Sequence, residues 1–252
     1  MLSAQGQKLF HQASKSMRLK RFKIFTNRLT HALAKAVFYW QGESTSASNT
    51  MSDPLPVLYS YRRCPYAMRA RMASQVAQVS VTTVEIDLRD KPVAMVAVSP
   101  KATVPVLCVR DGMVIDESLD IVRWALAICD PHDWTRGWGD KAAMDLLVRT
   151  DGKFKRWLDR YKYATRFPEY DSVSAREAAF EVLIEPLSLR LQNKPFIGGE
   201  LPMVQDVLIF PFVRQFAGVD PVWFKNKTTL SVQHWLGALV GSALFKQIMI
   251  KQ

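Results

Sequence analysis

The chain has 252 residues, 48% of them hydrophobic, and a formal net charge of +11. That length and apolar content support one large domain or two smaller ones with ample core. Three cysteines, Cys64, Cys108 and Cys129, argue against a disulfide framework and for a reducing, cytoplasmic setting, and no run approaches the ~20 apolar residues needed to span a bilayer.

The charge is unevenly placed. Residues 1–50 hold eight Lys/Arg against one acid, Glu43, so they carry +7 of the +11 and leave +4 for the remainder. The remainder is thus mildly basic and shows no recognisable nucleic-acid module, which argues against a nucleic-acid partner. Within the basic stretch, Lys20, Arg21, Lys23 and Arg28 alternate loosely with Leu19, Phe22, Phe25 and Leu29. A basic amphipathic helix fits residues 17–40, followed by a Ser/Thr/Asn-rich linker over 42–50. Residues 1–52 are read as a basic extension with three open assignments. It is a membrane-surface anchor, an organelle transit segment, or, as favoured here, a disordered or untranslated stretch upstream of a start at Met51. Met51-Ser-Asp-Pro54 stands immediately before the first strand pattern.

From Leu55 onward the pattern is regular. Residues 56–60 read as a buried strand, 64–79 as a helix with Met68, Met72 and Val76 on one face, and 81–87 as a β-branched strand. A short helix over 91–98 stops at Ser99-Pro100. A strand over 104–109 leads through the Asp111-Gly112 turn to a second one at 113–115, and residues 117–129 return to helix. The βαβ opening requires a parallel pair with a right-handed crossover. Beyond residue 130 strand patterns cease; 131–139 reads as a linker, and helices are expected over 141–163, 174–192, 205–217 and 231–246. The fold class is therefore α/β plus all-α, with an α/β domain over 53–130 and a helical domain over 140–252.

The most informative stretch is Tyr59-Ser-Tyr-Arg-Arg-Cys-Pro-Tyr-Ala-Met-Arg-Ala-Arg71. Pro65 suits the first helical position, which makes Cys64 the N-cap, beside free N–H groups and the positive end of the helix dipole. Arg62, Arg63, Arg69 and Arg71 add cations nearby. These conditions turn a thiol of pKa ~8.5 into a thiolate at neutral pH. Ala67 stands where a dithiol motif has its second cysteine, so a mixed disulfide with a small thiol is the natural intermediate.

The order of elements with Cys64-Pro-Tyr-Ala67 at the first helix resembles the thioredoxin-like half of cytosolic glutathione S-transferases, and most of all their cysteine-containing, omega-like or glutaredoxin-like branch. The resemblance covers roughly residues 55–250. It implies a thioredoxin-like domain followed by a helical bundle, glutathione as cosubstrate, no metal, and a homodimer. It also implies that the Val104–Pro105 bond of Thr103-Val-Pro-Val106 is cis, with the Val104 backbone facing the cysteinyl backbone of glutathione. By the same resemblance Glu117 and Ser118 bind the γ-glutamyl ammonium and carboxylate, the latter at a helix N-terminus, and Lys91 contacts glutathione. Pro65 and Tyr66, with Arg62 and Arg63, support the Cys64 thiolate. Plain alternatives stand beside these roles: N-capping for Asp116-Glu117-Ser118, an edge-strand proline for Pro105, a surface lysine for Lys91.

In the helical part Phe154, Trp157 and Tyr161 lie at i, i+3 and i+7, which describes a core stripe as well as an acceptor cleft; Trp223, with Phe224, is a candidate to close the cleft. Met203 stands where the family has a capping Ser/Thr, while Asp206 is kept and assigned to structure. Pro211 should kink its helix or sit in the first turns. His132 and His234 have no partner at ligand spacing. The function expected is glutathione-dependent thiol transfer through Cys64 onto an unknown small or protein acceptor. The alternatives are conjugation assisted by Tyr59, Ser60 or Tyr61, a non-catalytic binding or regulatory protein of this fold, and membrane association through residues 1–50.

Overall fold

The computed structural model describes residues 54–251; the basic extension over 1–52, its amphipathic helix and its membrane reading lie outside them. Four strands, β1 (Val57–Ser60), β2 (Thr82–Glu85), β3 (Val106–Cys108) and β4 (Val114–Ile115), form one sheet in the order β2-β1-β3-β4. β1 pairs parallel with β2 in the register Val57↔Thr82, and antiparallel with β3, where Tyr59 faces Val106. β4 returns antiparallel to β3. Gly112, at φ +74°, supplies the left-handed residue that the 3₁₀ turn Arg110–Gly112 needs before β4.

Three helices cover this sheet: α1 (Pro65–Val76), α2 (Val93–Val98) and α3 (Ser118–Ile128). α1 is buried on two sides. Ala70 packs with Leu58, Leu107 and Ile121 on the sheet side, whereas Met68, Met72 and Val76 join the large core shared with the helical part. A third cluster, Ile86, Met95 and Val106, lies beneath α2. α1 ends at Val76, with Ala77 as its C-cap, rather than at Val79, because Gln78 turns to φ +55° and breaks the ladder.

The connection over 131–139 is anchored rather than slack. It coils into 3₁₀ turns (Trp134–Gly139), buries Trp134, and is clamped by the Gln205 side-chain amide on the Gly137 carbonyl. The Asp140 carboxylate then accepts the Ala143 N–H and caps α4 (Lys141–Arg149). α4 runs through a wide π-type turn (Thr150–Phe154) into α5 (Lys155–Lys162). A second wide turn (Phe180–Ile184) joins α6 (Ser172–Ala179) to α7 (Glu185–Arg190). The expected long helices over 141–163 and 174–192 are thus each interrupted. The expected helix over 231–246 divides at Ser242 into α10 (Leu230–Gly241) and α11 (Ala243–Ile248), the Ser242 hydroxyl accepting the Phe245 N–H to start the second. α8 (Val204–Ala217) carries Pro211 in its interior, and α9 (Pro221–Lys227), not expected from periodicity, is started by Pro221 and the Asp220 cap.

α8 is the axis of the helical part, with every residue from Val204 to Val213 buried. Its start rests on Asp206, which lies at 0% exposure and accepts from Met203 N (2.9 Å), Ile197 N (2.7 Å), Gly198 N (3.4 Å) and Trp235 Nε1 (2.7 Å). Met203 stands at the N-cap and packs on Gly198, where an added Cβ would approach the Met203 side chain to 2.1 Å. Among the described residues no single helix is long and apolar enough to cross a membrane.

Candidate functional site

The topology gathers the expected site residues at one edge of the sheet. β1, β2 and β4 run the same way, so their C-terminal ends, which lead to Cys64, Lys91 and Glu117, meet there, as does the start of antiparallel β3 at Val104–Pro105. Cys64 is the N-cap of α1 with extended backbone (φ −77°, ψ 122°), and Pro65 takes the first helical position. The Val104–Pro105 bond is cis. The Cys64 thiol reaches the Val104 carbonyl with Sγ 3.7 Å from the oxygen, so the sulfur and the segment expected to face a ligand backbone adjoin.

The charge state of this thiol differs from the expectation. Burial pushes the Cys64 thiol above its ordinary range. The amides of Ala67 and Tyr66 and the charges of Lys155 and Arg69 pull the other way without offsetting it. The sulfur makes no capping hydrogen bond of normal length. Arg62 and Arg63, expected to supply charge, are directed elsewhere. The Arg62 backbone N–H donates to Glu85 and its guanidinium to the Met249 carbonyl, while the Arg63 guanidinium lies on the Tyr61 ring and donates to the Tyr61 hydroxyl. Arg71 interacts with Glu85 and Arg62.

The cations that act on Cys64 come from farther away. Arg69 is fully buried; Nη2 and Nη1 donate to the two Asp151 oxygens (2.7 and 3.1 Å) and Nε to the Leu208 carbonyl (2.7 Å), with the guanidinium 4.4 Å from the Phe212 ring centre. Lys155, on α5, is ion-paired to Asp159. Tyr66 stands between these groups, edge-on to Phe212 at 4.9 Å, and its hydroxyl is pushed up to about 12 by burial and by Asp151. The i,i+4 spacing of Lys155 and Asp159 is visible in the sequence, but the action of Lys155 on Cys64 is a tertiary fact.

At the other end of the edge, Glu117 caps α3 in extended conformation and Ser118, nearly buried, opens the helix. Asp116 accepts the Ser99 hydroxyl at 2.9 Å. Lys101 joins this group unexpectedly, with Nζ 2.6 Å from Glu117 Oε1 and 3.1 Å from Asp116 Oδ1. Burial draws the Lys101 ammonium down, but the hydrogen bonds to Glu117 and Asp116 outweigh this and hold it above its ordinary value. Lys91 is partly exposed, immediately before Pro92, the N-cap of α2.

The acceptor-side candidates separate by burial. Phe154, at 0% exposure, and Tyr161, at 8%, pack on Phe216 and belong to the core. Trp157 is less covered and stacks edge-on with Tyr170, with Arg160 over both rings. Trp223 packs on Phe180 and Phe216 with Arg176 on its face, and Phe224 is buried. Of the three hydroxyls considered for conjugation, Ser60 is at 0% exposure and Tyr61 accepts from Arg63, while Tyr59 is partly exposed.

The sheet and the helices that follow it agree with comparison to known proteins. Residues 58–131 match the family model for the glutathione S-transferase N-terminal domain. That segment is a glutathione S-transferase N-terminal domain. The curated relatives of the chain include glutathione S-transferase omega-1 of Mus musculus, 26% identical over 195 residues (71% of this chain, 77% of the relative), and omega-2 of Homo sapiens, 25% identical over 179 residues (68% and 71%). Among solved structures it is similar to glutathione transferase Omega 3C from Trametes versicolor, with a TM-score of 0.65 and 14% identity over 80% of this chain and 91% of that one. That likeness establishes the fold: a thioredoxin-like domain followed by a helical domain.

Proposed function

We propose that the chain is a glutathione-dependent transferase that carries out thiol transfer through Cys64, with glutathione as cosubstrate and no metal. The observation that carries the reading is the Cys64 sulfur, at the N-cap of α1 and 3.7 Å from the carbonyl before the cis Val104–Pro105 bond. Along the same edge, Ser118 and the first N–H groups of α3 suit a ligand carboxylate. Glu117 suits its ammonium, Lys91 its second carboxylate, and the Val104 backbone its peptide groups.

The reaction balances as two exchanges. Cys64 loses its proton to solvent, and its thiolate attacks the glutathionyl sulfur of a mixed disulfide. A Cys64–glutathione disulfide forms, the acceptor's sulfur departs with the bonding pair, and it takes up a proton. A glutathione thiolate then attacks the bound glutathionyl sulfur, releasing glutathione disulfide and the Cys64 thiolate. Because the thiol is held up by burial, only a minor fraction is ionised near neutrality, but a thiolate of higher pKa is also the stronger nucleophile. Free amides at the α1 terminus favour the sulfur anion each time it is regenerated.

A second reading draws on the same raised thiol: a non-catalytic binding or regulatory protein of this fold, since fold alone does not fix function. An exchange assay with glutathione and a glutathionylated peptide separates them. Turnover in the wild type, lost in Cys64→Ser with glutathione binding retained, supports thiol transfer; binding without turnover in the wild type supports the alternative. A homodimer in a reducing, cytoplasmic compartment accompanies the first reading as an implication of the family.

A further inference from the structure

We propose that Lys101 determines which thiols this site accepts: its ammonium stands in for the ligand's own, so that thiols with a γ-acyl end lacking an amino group bind nearly as well as glutathione. The inference deepens the reading of Glu117 as the ammonium site and rests on it.

Three oxygens surround the Lys101 Nζ: Glu117 Oε1 at 2.6 Å, Asp116 Oδ1 at 3.1 Å and the Asp116 carbonyl at 3.3 Å. An ammonium has three N–H donors and no acceptor. Each donor of Lys101 thus has an oxygen within reach, and none remains for a ligand carboxylate. That excludes the simplest role for a lysine at such a site, an anion clamp. The contacts are instead those an α-ammonium would make, with three donors directed at carboxylate and carbonyl oxygens. Lys101 is therefore the chemical equivalent of the group that Glu117 is proposed to receive.

The root of Lys101 is fixed and its head is not. The Ser99 hydroxyl, two residues earlier, donates to Asp116 Oδ2 at 2.9 Å, and the Ala102 N–H donates to the Ser99 carbonyl at 2.9 Å. These bonds pin the loop beside the start of α3. The Lys101 and Glu117 side chains are 44% and 68% exposed, so their ion pair is solvated and weak. The four-carbon stem can carry the ammonium aside. A ligand ammonium can thus displace Lys101 from Glu117 at small cost and with no movement of the backbone.

Formal charge shows what the displacement means for selectivity. Asp116 and Glu117 are two carboxylates against the one ammonium of Lys101. A γ-glutamyl end brings both an ammonium and a carboxylate. Its ammonium replaces that of Lys101 on Glu117, so the charge balance there is unchanged and the amino group gains glutathione little. A glutaryl end has the carboxylate and no amine, and it leaves Lys101 in place. The Lys101 ammonium then shields the incoming carboxylate from Glu117 and Asp116, a repulsion that would otherwise oppose binding. Lys101 therefore costs glutathione a displacement and spares the amine-free ligand a repulsion. Both effects narrow the difference between the two ligands.

The test is calorimetric titration of the full chain at low ionic strength with S-methylglutathione and with its glutaryl analogue, which lacks only the α-amino group. The methylated sulfur prevents exchange with Cys64. The wild type should bind the two within about threefold of each other. Lys101→Met should bind S-methylglutathione about threefold more tightly and the glutaryl analogue about threefold more weakly, widening the preference roughly tenfold. Lys101→Arg, which keeps a cation at this position, should retain the narrow wild-type ratio. The proposal is overturned if the wild type already prefers the amine about tenfold or more, or if Lys101→Met weakens S-methylglutathione or leaves the ratio unchanged. It is also overturned if Lys101→Arg widens the ratio as much as Lys101→Met. Binding that follows these changes in a protein without exchange turnover would remove thiol transfer alone. No binding of S-methylglutathione by any of the three proteins would remove the glutathione site and this inference together.

Discussion

Two helix starts in this molecule place an ionisable side chain near free backbone N–H groups and treat it in opposite ways. At α8 the Asp206 carboxylate accepts from three backbone amides and the Trp235 indole, and no exposed surface remains. At α1 the Cys64 sulfur makes no full capping bond, touches the Val104 carbonyl, and keeps some exposure. The first start is saturated and therefore structural. The second leaves its amides uncommitted at the edge where β1, β2 and β4 end, and uncommitted amides are what a reaction that generates a sulfur anion can use.

That contrast orders the expected effects of substitution. Asp206→Ala removes a buried acceptor from four donors at once and should destabilise the fold by about 3–5 kcal/mol, read as a lower midpoint in urea unfolding. An Asp206→Ala protein of unchanged midpoint would break the comparison. Arg69→Met leaves Asp151 without its partner and should cost roughly 2–4 kcal/mol, discounted because Asp151 is 29% exposed. Glu117→Gln weakens the site proposed for the ligand ammonium and should raise the KM for glutathione about tenfold, with stability within about 0.5 kcal/mol of wild type. Cys64→Ser should leave the unfolding midpoint within about 1 kcal/mol while abolishing exchange. A large stability loss there would place Cys64 in the same structural class as Asp206.

The pH dependence follows from the raised thiol. The folded protein binds the Cys64 proton more tightly than the unfolded chain, so the two states differ in protonation only above the ordinary thiol range. Exchange and alkylation should climb steadily from pH 7 into that alkaline range. Stability contributed by the neutral thiol is present below it and declines as pH rises through it.

Much of this arrangement was legible before any coordinates. The alternation of β-branched runs with 3.6-residue patterns gave the strand and helix order, and Cys64-Pro65 located the α1 start because proline at the first turn has a local cause. The cis Val104–Pro105 bond followed from family resemblance rather than from local sequence. The two π-type turns at Thr150–Phe154 and Phe180–Ile184 were not legible, since apolar periodicity continues across them. α9 was missed because it is only about two turns long and is started by Pro221 after a loop. At the site, the arginines adjacent to Cys64 in sequence misled: Arg62 and Arg63 turn to Met249 and Tyr61, while the effective cations, Arg69 and Lys155, are set by packing between α1 and the helical part. Lys101 was hidden for the same reason, since only folding brings it to Glu117.

The most direct test incubates the reduced protein with glutathione disulfide and maps any mixed disulfide by peptide mass spectrometry. One glutathionyl group on Cys64, formed faster as pH rises and removed by excess glutathione, is the predicted result. A protein that stays unmodified at Cys64, or is modified only at Cys129, would contradict the account.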